Sequence, residues 1–213
     1  MNDLFVICPD LDWESVLQEI FARPEALGTR RFVSKVKKFA GQKDGGVRKK
    51  AVDLVRSVLP LADCILVIFD RDGCGDRRPA EMIEEELNGS LAHTVAGSGK
   101  AARALVVEPE LETWLIGAFA HFAIPNTRAA GANAREWLAR NRNPDNGTLF
   151  WPVNTDKPDD PKRAVHAFFR AHQVKVSSAA YRKVAARASL DIERCSCRSF
   201  HRFVKLLRAW FPA

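Results

Sequence analysis

The clearest chemical signal in the sequence is a pair of aspartates, Asp70 and Asp72, placed directly after the apolar run 64–69. That run holds no charged residue, so it predicts a strand covered on both faces, as in the centre of a parallel sheet. Ligands of open α/β sheets bind beyond the carboxyl ends of the strands. Two carboxylates at such an end supply the hard oxygen ligands that Mg²⁺ takes in proteins. The pair therefore predicts a Mg²⁺ (or Mn²⁺) site, with a plain Asp-Gly turn as the alternative.

Further carboxylates follow two other predicted strands. Asp10 comes after the apolar run 4–8, and Glu112 is the last of three glutamates that follow the run 103–107. We expect Asp10 and these glutamates to complete an acidic shell around Asp70 and Asp72. Each position has a structural alternative: Asp12 suits a helix N-cap, and the glutamates suit a first helical turn.

The basic residues of the chain predict a polyanionic partner. Lysine and arginine number 33 against 26 acidic residues, which gives a net charge of +7 and a pI near 9.4. They gather in segments 30–50 and 182–208, on either side of an acidic centre. This distribution favours nucleic acid, DNA above RNA, although solvated helix faces give a similar pattern. The residues predicted to meet phosphate are Arg71, Lys43, Arg48, Lys100 and Arg202.

Hydrophobic periodicity predicts an α/β fold. Strands alternate with helices through residue 122, which implies right-handed crossovers and a mostly parallel four-stranded sheet flanked by helices. We expect residues 1–122 to form this α/β domain and 123–213 to form a mainly helical region packed on it. Proline positions predict the helix ends, with Pro109 at the start of a helix. Within the second region, 124–142 predicts a linker and helix, and 149–153 a short strand.

Composition excludes several classes of protein. No apolar run is long enough to cross a bilayer, and the amino terminus lacks the basic and small-residue features of a signal peptide. The five cysteines are scattered and odd in number, which suits reduced thiols. Cys195 and Cys197 with His201 lack a fourth ligand for structural zinc. We expect a cytoplasmic protein with no membrane association.

Two further segments, read together with the aspartate pair, carry a resemblance to a known family. They are the run Pro-Glu-Leu-Glu-Thr-Trp-Leu at 109–115 and the tail Ser-Phe-His-Arg-Phe at 199–203. With Asp70-x-Asp72 they resemble the small stand-alone Toprim-like proteins of bacterial defence islands, and in particular the Toprim-like subunit of methylation-associated anti-phage systems. The resemblance implies a Toprim-like fold and Mg²⁺ held by Asp70 and Asp72. It also implies that Glu112, among the three glutamates, is the catalytic acid or a third metal ligand. It also implies nucleic acid and other defence-system subunits as partners.

One position departs from the family pattern. Toprim domains carry a glutamate after the first strand, and that position falls on Cys8, followed by Pro9. A thiol is a poor ligand for Mg²⁺ and a poor substitute for a carboxylate in proton transfer. Two hypotheses therefore stand side by side: a metal-dependent phosphoryl-transfer enzyme of the nuclease type, and a catalytically degenerate subunit that binds nucleic acid or a partner. A small-molecule phosphatase is a third.

Overall fold

The structure is a computed structural model that describes residues 1–39, 41, 43–117, 137, 140–141, 157–188, 190, 192 and 197–213. Its centre is a four-stranded, all-parallel sheet in the order β2-β1-β3-β4. The strands are β1 (Asn2–Cys8), β2 (Ser34–Lys38), β3 (Ala62–Asp70) and β4 (Ala101–Val107). The described helices are α1 (Leu11–Phe21), α2 (Pro24–Leu27), α3 (Asp44–Val58), a 3-10 turn (Leu59–Leu61), α4 (Ala80–Val95), α5 (Glu112–Gly117), α6 (Pro161–Ala171), α7 (Ser178–Arg187) and α8 (Arg198–Trp210).

The sheet separates two hydrophobic cores. On β3, Ile65, Val67 and Phe69 face one core, whereas Leu66 and Ile68 face the other, and all five are fully buried. A strand with apolar residues at every position is needed here because helices cover both faces. The predicted α/β class, with a four-stranded parallel sheet flanked by helices, is confirmed.

The carboxyl-terminal helices share the core that contains α1 and α5. Trp114 of α5 is the centre of this packing: its ring lies 5.1 Å from the ring of Trp13 and 5.1 Å from that of Phe200 of α8, both in edge-on geometry. Its indole N–H donates to the Ser199 hydroxyl at 2.8 Å. These aromatic contacts hold the start of α5, and the glutamates beside it, against the sheet.

Several predicted boundaries change. The N-cap of α1 is Asp10, so the prediction of Asp12 was wrong; Asp10 has extended backbone, and its Oδ1 accepts the N–H groups of Asp12 and Trp13 at 3.0 Å. Pro109 does not begin a helix, since α5 starts at Glu112. The predictions for 124–142 and 149–153 fall almost entirely outside the described residues.

None of the helices that the structure describes combines the length and apolar character that a membrane-spanning helix requires.

Candidate functional site

Asp70 occupies the carboxyl end of β3 and is 8% exposed. Its Oδ1 accepts a hydrogen bond from the indole Nε1 of Trp13 at 3.2 Å, and its backbone N–H donates to Asp44 Oδ1 at 2.9 Å. A buried carboxylate therefore lies between α1 and α3, at the carboxyl ends of the strands, where ligands of parallel sheets bind.

Asp44 comes to this position as the first residue of α3, the helix that follows the edge strand β2. Two glycines allow the approach. Gly45 packs so closely on the loop after β3 that a Cβ there would lie 3.2 Å from the carbonyl oxygen of Gly73, and Gly73 itself has a φ of +92°. Only glycine adopts that backbone without strain, so the loop closes tightly over Asp44.

Asp10 and two glutamates supply the remaining acidic side chains. Asp10 follows β1, and Glu110 and Glu112 follow β4. The Tyr181 hydroxyl donates to Glu112 Oε1 at 2.7 Å, and Lys162 Nζ lies 3.5 Å from Glu110 Oε2 and 3.9 Å from Glu112 Oε1. We call these five acidic residues the carboxylate cluster: Asp10 after β1, Asp44 at the start of α3, Asp70 at the end of β3, and Glu110 and Glu112 after β4.

Burial and repulsion by neighbouring carboxylates disfavour the charged forms of Asp10, Asp44, Asp70 and Glu110. Burial, followed by the charges of Asp44 and Glu112, raises the pKa of Asp70 well above its usual value. Burial is also the main cause that raises the pKa of Asp10 and of Asp44. The pKa of Glu110 rises to about 7, through burial and the neighbouring charge of Glu112.

The pKa of Lys162 shifts so that its charged form is favoured. Burial alone would lower its pKa, but the charges of Glu112, Glu110 and Asp70 outweigh burial and raise it. The ammonium group is therefore a cation held by the carboxylate cluster. This contact shows that the carboxyl ends of the strands attract positive charge.

Asp72 does not join Asp70. Its side chain is 55% exposed and its Oδ1 lies 2.9 Å from Arg71 Nη2, while Arg71 Nε lies 3.2 Å from Glu108 Oε1. The Asp72 N–H donates to the Pro109 carbonyl at 3.0 Å, which ties the loop after β3 to the loop after β4. Of the predicted metal ligands, the structure thus brings together Asp70 and Glu112 and places Asp72 in an ion pair with Arg71.

The other predicted phosphate-binding residues lie in different surroundings. Lys43 is exposed at the N-cap of α3, close in sequence to Asp44. Arg48 binds the Cys74 carbonyl at 3.1 Å and Asp76 at 3.3 Å. Lys100 precedes β4, at the amino-terminal ends of the strands, where its Nζ binds the carbonyls of Leu59 and Ala62.

Arg202 of α8 lies beside β4. Its guanidinium group binds Glu81 at 3.0 Å, Glu84 at 2.9 Å and the Val106 carbonyl at 3.1 Å. These contacts join α8 to α4 and the sheet. Arg202 also lines a cavity, together with Glu81 and Glu108.

The carboxylate cluster fits a divalent cation by its donor chemistry and charge, since carboxylate oxygens are ligands that Mg²⁺ and Mn²⁺ accept. Its oxygens do not converge as they stand: among the described residues, no three acidic, histidine or cysteine side chains are arranged to hold a metal ion. Asp70 and Glu112 each turn one oxygen toward a protein donor, Trp13 or Tyr181. Cys8 is fully buried and burial raises the pKa of its thiol, so it supplies no thiolate.

Sequence reasoning missed three members of this site. Asp44 lies in a polar segment whose sequence predicts only a loop, although it follows β2 as Asp10 follows β1. Lys162 and Tyr181 lie far along the chain, on α6 and α7, and no local pattern marks them. Tyr181 is 1% exposed and also contacts His166, whose Nε2 lies 3.2 Å from the hydroxyl.

Comparison with protein-family models, with curated proteins and with solved structures yields no significant match for this chain.

Proposed function

We propose that the protein is a Toprim-like, Mg²⁺-dependent phosphoryl-transfer protein of the nuclease type that acts on nucleic acid in anti-phage defence. The single observation that supports it is the carboxylate cluster: β3 ends at Asp70, and burial together with the charges of Asp44, Glu112, Asp10 and Glu110, from the segments that follow the other three strands, raises the pKa of Asp70. Buried like charges are costly, and cation binding relieves that cost.

Asp10, Asp44, Asp70 and Glu112 are the residues that would hold the ion. When bound, Mg²⁺ or Mn²⁺ supplies a Lewis acid that polarises a phosphoryl oxygen. The chain itself supplies a proton acceptor: Glu110, with a pKa of about 7, exchanges a proton near neutral pH, as a general base requires. Trp13 and Tyr181 orient Asp70 and Glu112 through their N–H and O–H groups.

Exposed lysines on β2 and at the start of α3 support nucleic acid as the substrate class. The edge strand β2 and the first turns of α3 carry exposed lysines next to the end of the sheet that holds Asp44. Clustered lysines attract the phosphate backbone without regard to sequence. The exposed side chains are Lys35, Lys37, Lys38, Lys43, Lys49 and Lys50.

The test measures whether divalent metal stabilises the protein and whether Asp70 is responsible. At about 100 times Kd, Mn²⁺ should raise stability by ~2.7 kcal/mol, which corresponds to about 5–10 °C in Tm for a chain of this size. Asp70→Asn should remove that response. Asp63→Asn is the matched control, since Asp63 is exposed at the opposite end of the same strand. An equal response in wild type and Asp70→Asn rejects the site.

A second candidate function is a non-catalytic Toprim-like subunit that binds nucleic acid or a partner protein. It is favoured by the ion pair of Asp72 with Arg71 and by the buried thiol at Cys8. Incubation of plasmid and single-stranded DNA with Mg²⁺ or Mn²⁺ separates the two. Cleavage that is lost in Asp70→Asn supports the enzyme, whereas metal-dependent stabilisation with intact DNA supports the binding subunit.

A further inference from the structure

Three side chains from three different helices form a hydrogen-bond network that ends at the carboxylate cluster. His166 Nε2 on α6 lies 3.2 Å from the Tyr181 hydroxyl on α7, and that hydroxyl donates to Glu112 Oε1, at the start of α5, at 2.7 Å. Tyr181 is 1% exposed and Glu112 is 4% exposed, whereas His166 is half-buried. The network therefore joins a residue near the surface to a buried carboxylate of the proposed metal site.

The number of protons that these groups carry fixes the direction of both hydrogen bonds. A tyrosine hydroxyl has one proton to give, and an ionised carboxylate only accepts. Tyr181 therefore donates to Glu112, and its oxygen is left to accept from His166. Burial lowers the pKa of His166, so its ring is neutral at pH 8. The proton of the neutral ring is then on Nε2, the nitrogen that faces Tyr181.

The position of His166 follows from its spacing on α6. Lys162 and His166 are four residues apart, which places them on one face of the helix. This face meets Glu112, because Lys162 Nζ lies 3.9 Å from Glu112 Oε1. Helix α6 thus acts on the same carboxylate twice, directly through Lys162 and through the Tyr181 hydroxyl by way of His166.

A donor behind the tyrosine strengthens the hydrogen bond in front of it. When His166 Nε2–H donates to the Tyr181 oxygen, it polarises the O–H group, and each bond of such a network gains about 10–30% in strength. Groups that hydrogen-bond a metal-ligating side chain orient it, and their loss typically lowers metal affinity about 10–100-fold. His166 is one step further from the ion than Tyr181, so its effect should be smaller.

We propose that His166 is a positioning residue of the carboxylate cluster, which donates from Nε2 to hold the Tyr181 hydroxyl on Glu112 and so fixes the orientation of that carboxylate. The proposal deepens the proposed function and rests on it only for the ion that Glu112 would bind. The hydrogen-bond network itself requires no metal.

The first measurement uses the ¹³C NMR signal of the tyrosine ring carbon that bears the hydroxyl. Tyr181 is the only tyrosine in the sequence, so the full chain labelled with ¹³C-tyrosine gives a single signal. In EDTA at pH 8, His166→Leu should shift this signal, because the oxygen loses its donor. His166→Gln, whose amide nitrogen can donate in the same place, should keep the signal near its wild-type position. His93→Leu is the matched control, since His93 is exposed on α4.

The second measurement is the affinity for Mn²⁺ by calorimetric titration. Tyr181→Phe should weaken Mn²⁺ binding about tenfold. His166→Leu should weaken it about two- to fourfold, which is 10–30% of the strength of a hydrogen bond to a charged group. With phenylalanine at position 181, His166→Leu should have no further effect, because His166 acts through the hydroxyl. His166→Ala replaces the leucine variant if that variant does not fold.

The two measurements separate this proposal from the proposed function. A tyrosine signal that does not move in His166→Leu or His166→Ala, or that moves equally in His166→Gln, overturns the proposal even if the wild type binds Mn²⁺. An undiminished effect of His166→Leu in the Tyr181→Phe background overturns it as well. If the wild type binds no Mn²⁺, the proposed metal site fails, but a signal that shifts in His166→Leu and is restored in His166→Gln still supports His166 as the residue that holds Tyr181 on Glu112.

Discussion

The metal-free protein should lose stability as the pH rises from about 5 to about 8, and Glu110→Gln should remove part of that loss. Burial and the charge of Glu112 raise the pKa of Glu110 from its ordinary 4.5 to about 7 in the folded protein. Below pH 4.5 the group is protonated in both the folded and the unfolded chain and has no effect. Between pH 4.5 and 7 the unfolded chain releases the proton first, so stability falls, and above pH 7 the whole penalty is present.

The size of the effect follows from the same values. A rise from 4.5 to about 7 corresponds to about 3 kcal/mol, at ~1.36 kcal/mol per pKa unit. Glu110 lies at the rim of the site, and Lys162 Nζ is 3.5 Å from its Oε2, so solvent screens part of the repulsion. After that discount we expect Glu110→Gln to gain about 1–2 kcal/mol at pH 8, or roughly 2–8 °C in Tm. Glutamine retains the Oε1 that accepts the Lys162 N–H at 3.1 Å.

Urea unfolding in EDTA at pH 5 and pH 8 measures the difference directly. Wild type should lose more stability than Glu110→Gln over this interval, and the variant should be more stable than wild type only at the higher pH. Glu85→Gln is the matched control, because Glu85 is exposed on α4 outside the cluster. Identical pH profiles for wild type and Glu110→Gln would refute the argument that Glu110 is held among like charges.

Two further substitutions test the supports of the site. Tyr181→Phe removes the hydroxyl that donates to Glu112 at 2.7 Å, and it should lower the free energy of unfolding by about 1–3 kcal/mol, since the acceptor is a buried carboxylate; an unchanged urea midpoint would contradict that bond. Leu66→Ala, in the fully buried centre of β3, should cost about 2–5 kcal/mol. Leu61→Ala, at an exposed position, should cost far less in the same urea assay, and equal losses would contradict the assigned core.

The sheet could be predicted because its strands have a simple signature. Residues 64–69 are apolar without interruption, and only a strand buried on both faces needs that pattern. The strand-end rule then predicts that Asp70, Asp10 and Glu112 lie at the same end of the sheet. The bounds of the shorter elements are harder to predict: in the edge strand β2 (Ser34–Lys38) only Val36 is buried, so no continuous apolar run marks where the strand begins and ends.

The partners of Asp70 could not be predicted from local patterns. Asp44 depends on how the loop before α3 packs against Gly73, and Lys162 and Tyr181 depend on the docking of α6 and α7 on the sheet. The position of Asp72 also depends on contacts that no local pattern predicts. Its spacing from Asp70 suits a shared ion, but the chain turns at Gly73 and the neighbouring Arg71 pairs with it.

The carboxylate cluster is difficult to explain as a device for stability. The five acidic side chains lie near the ammonium of Lys162, and burial raises the pKa of Asp10, Asp44, Asp70 and Glu110. An amide at position 70 would keep an oxygen for Trp13 and remove the repulsion, so Asp70→Asn should stabilise the metal-free protein at pH 8. The same change should destroy any site that needs the charge. A variant that is more stable without metal and indifferent to Mn²⁺ is the pattern expected of a binding residue, whereas a variant less stable in both conditions would make Asp70 a structural residue whose hydrogen bonds matter more than its charge.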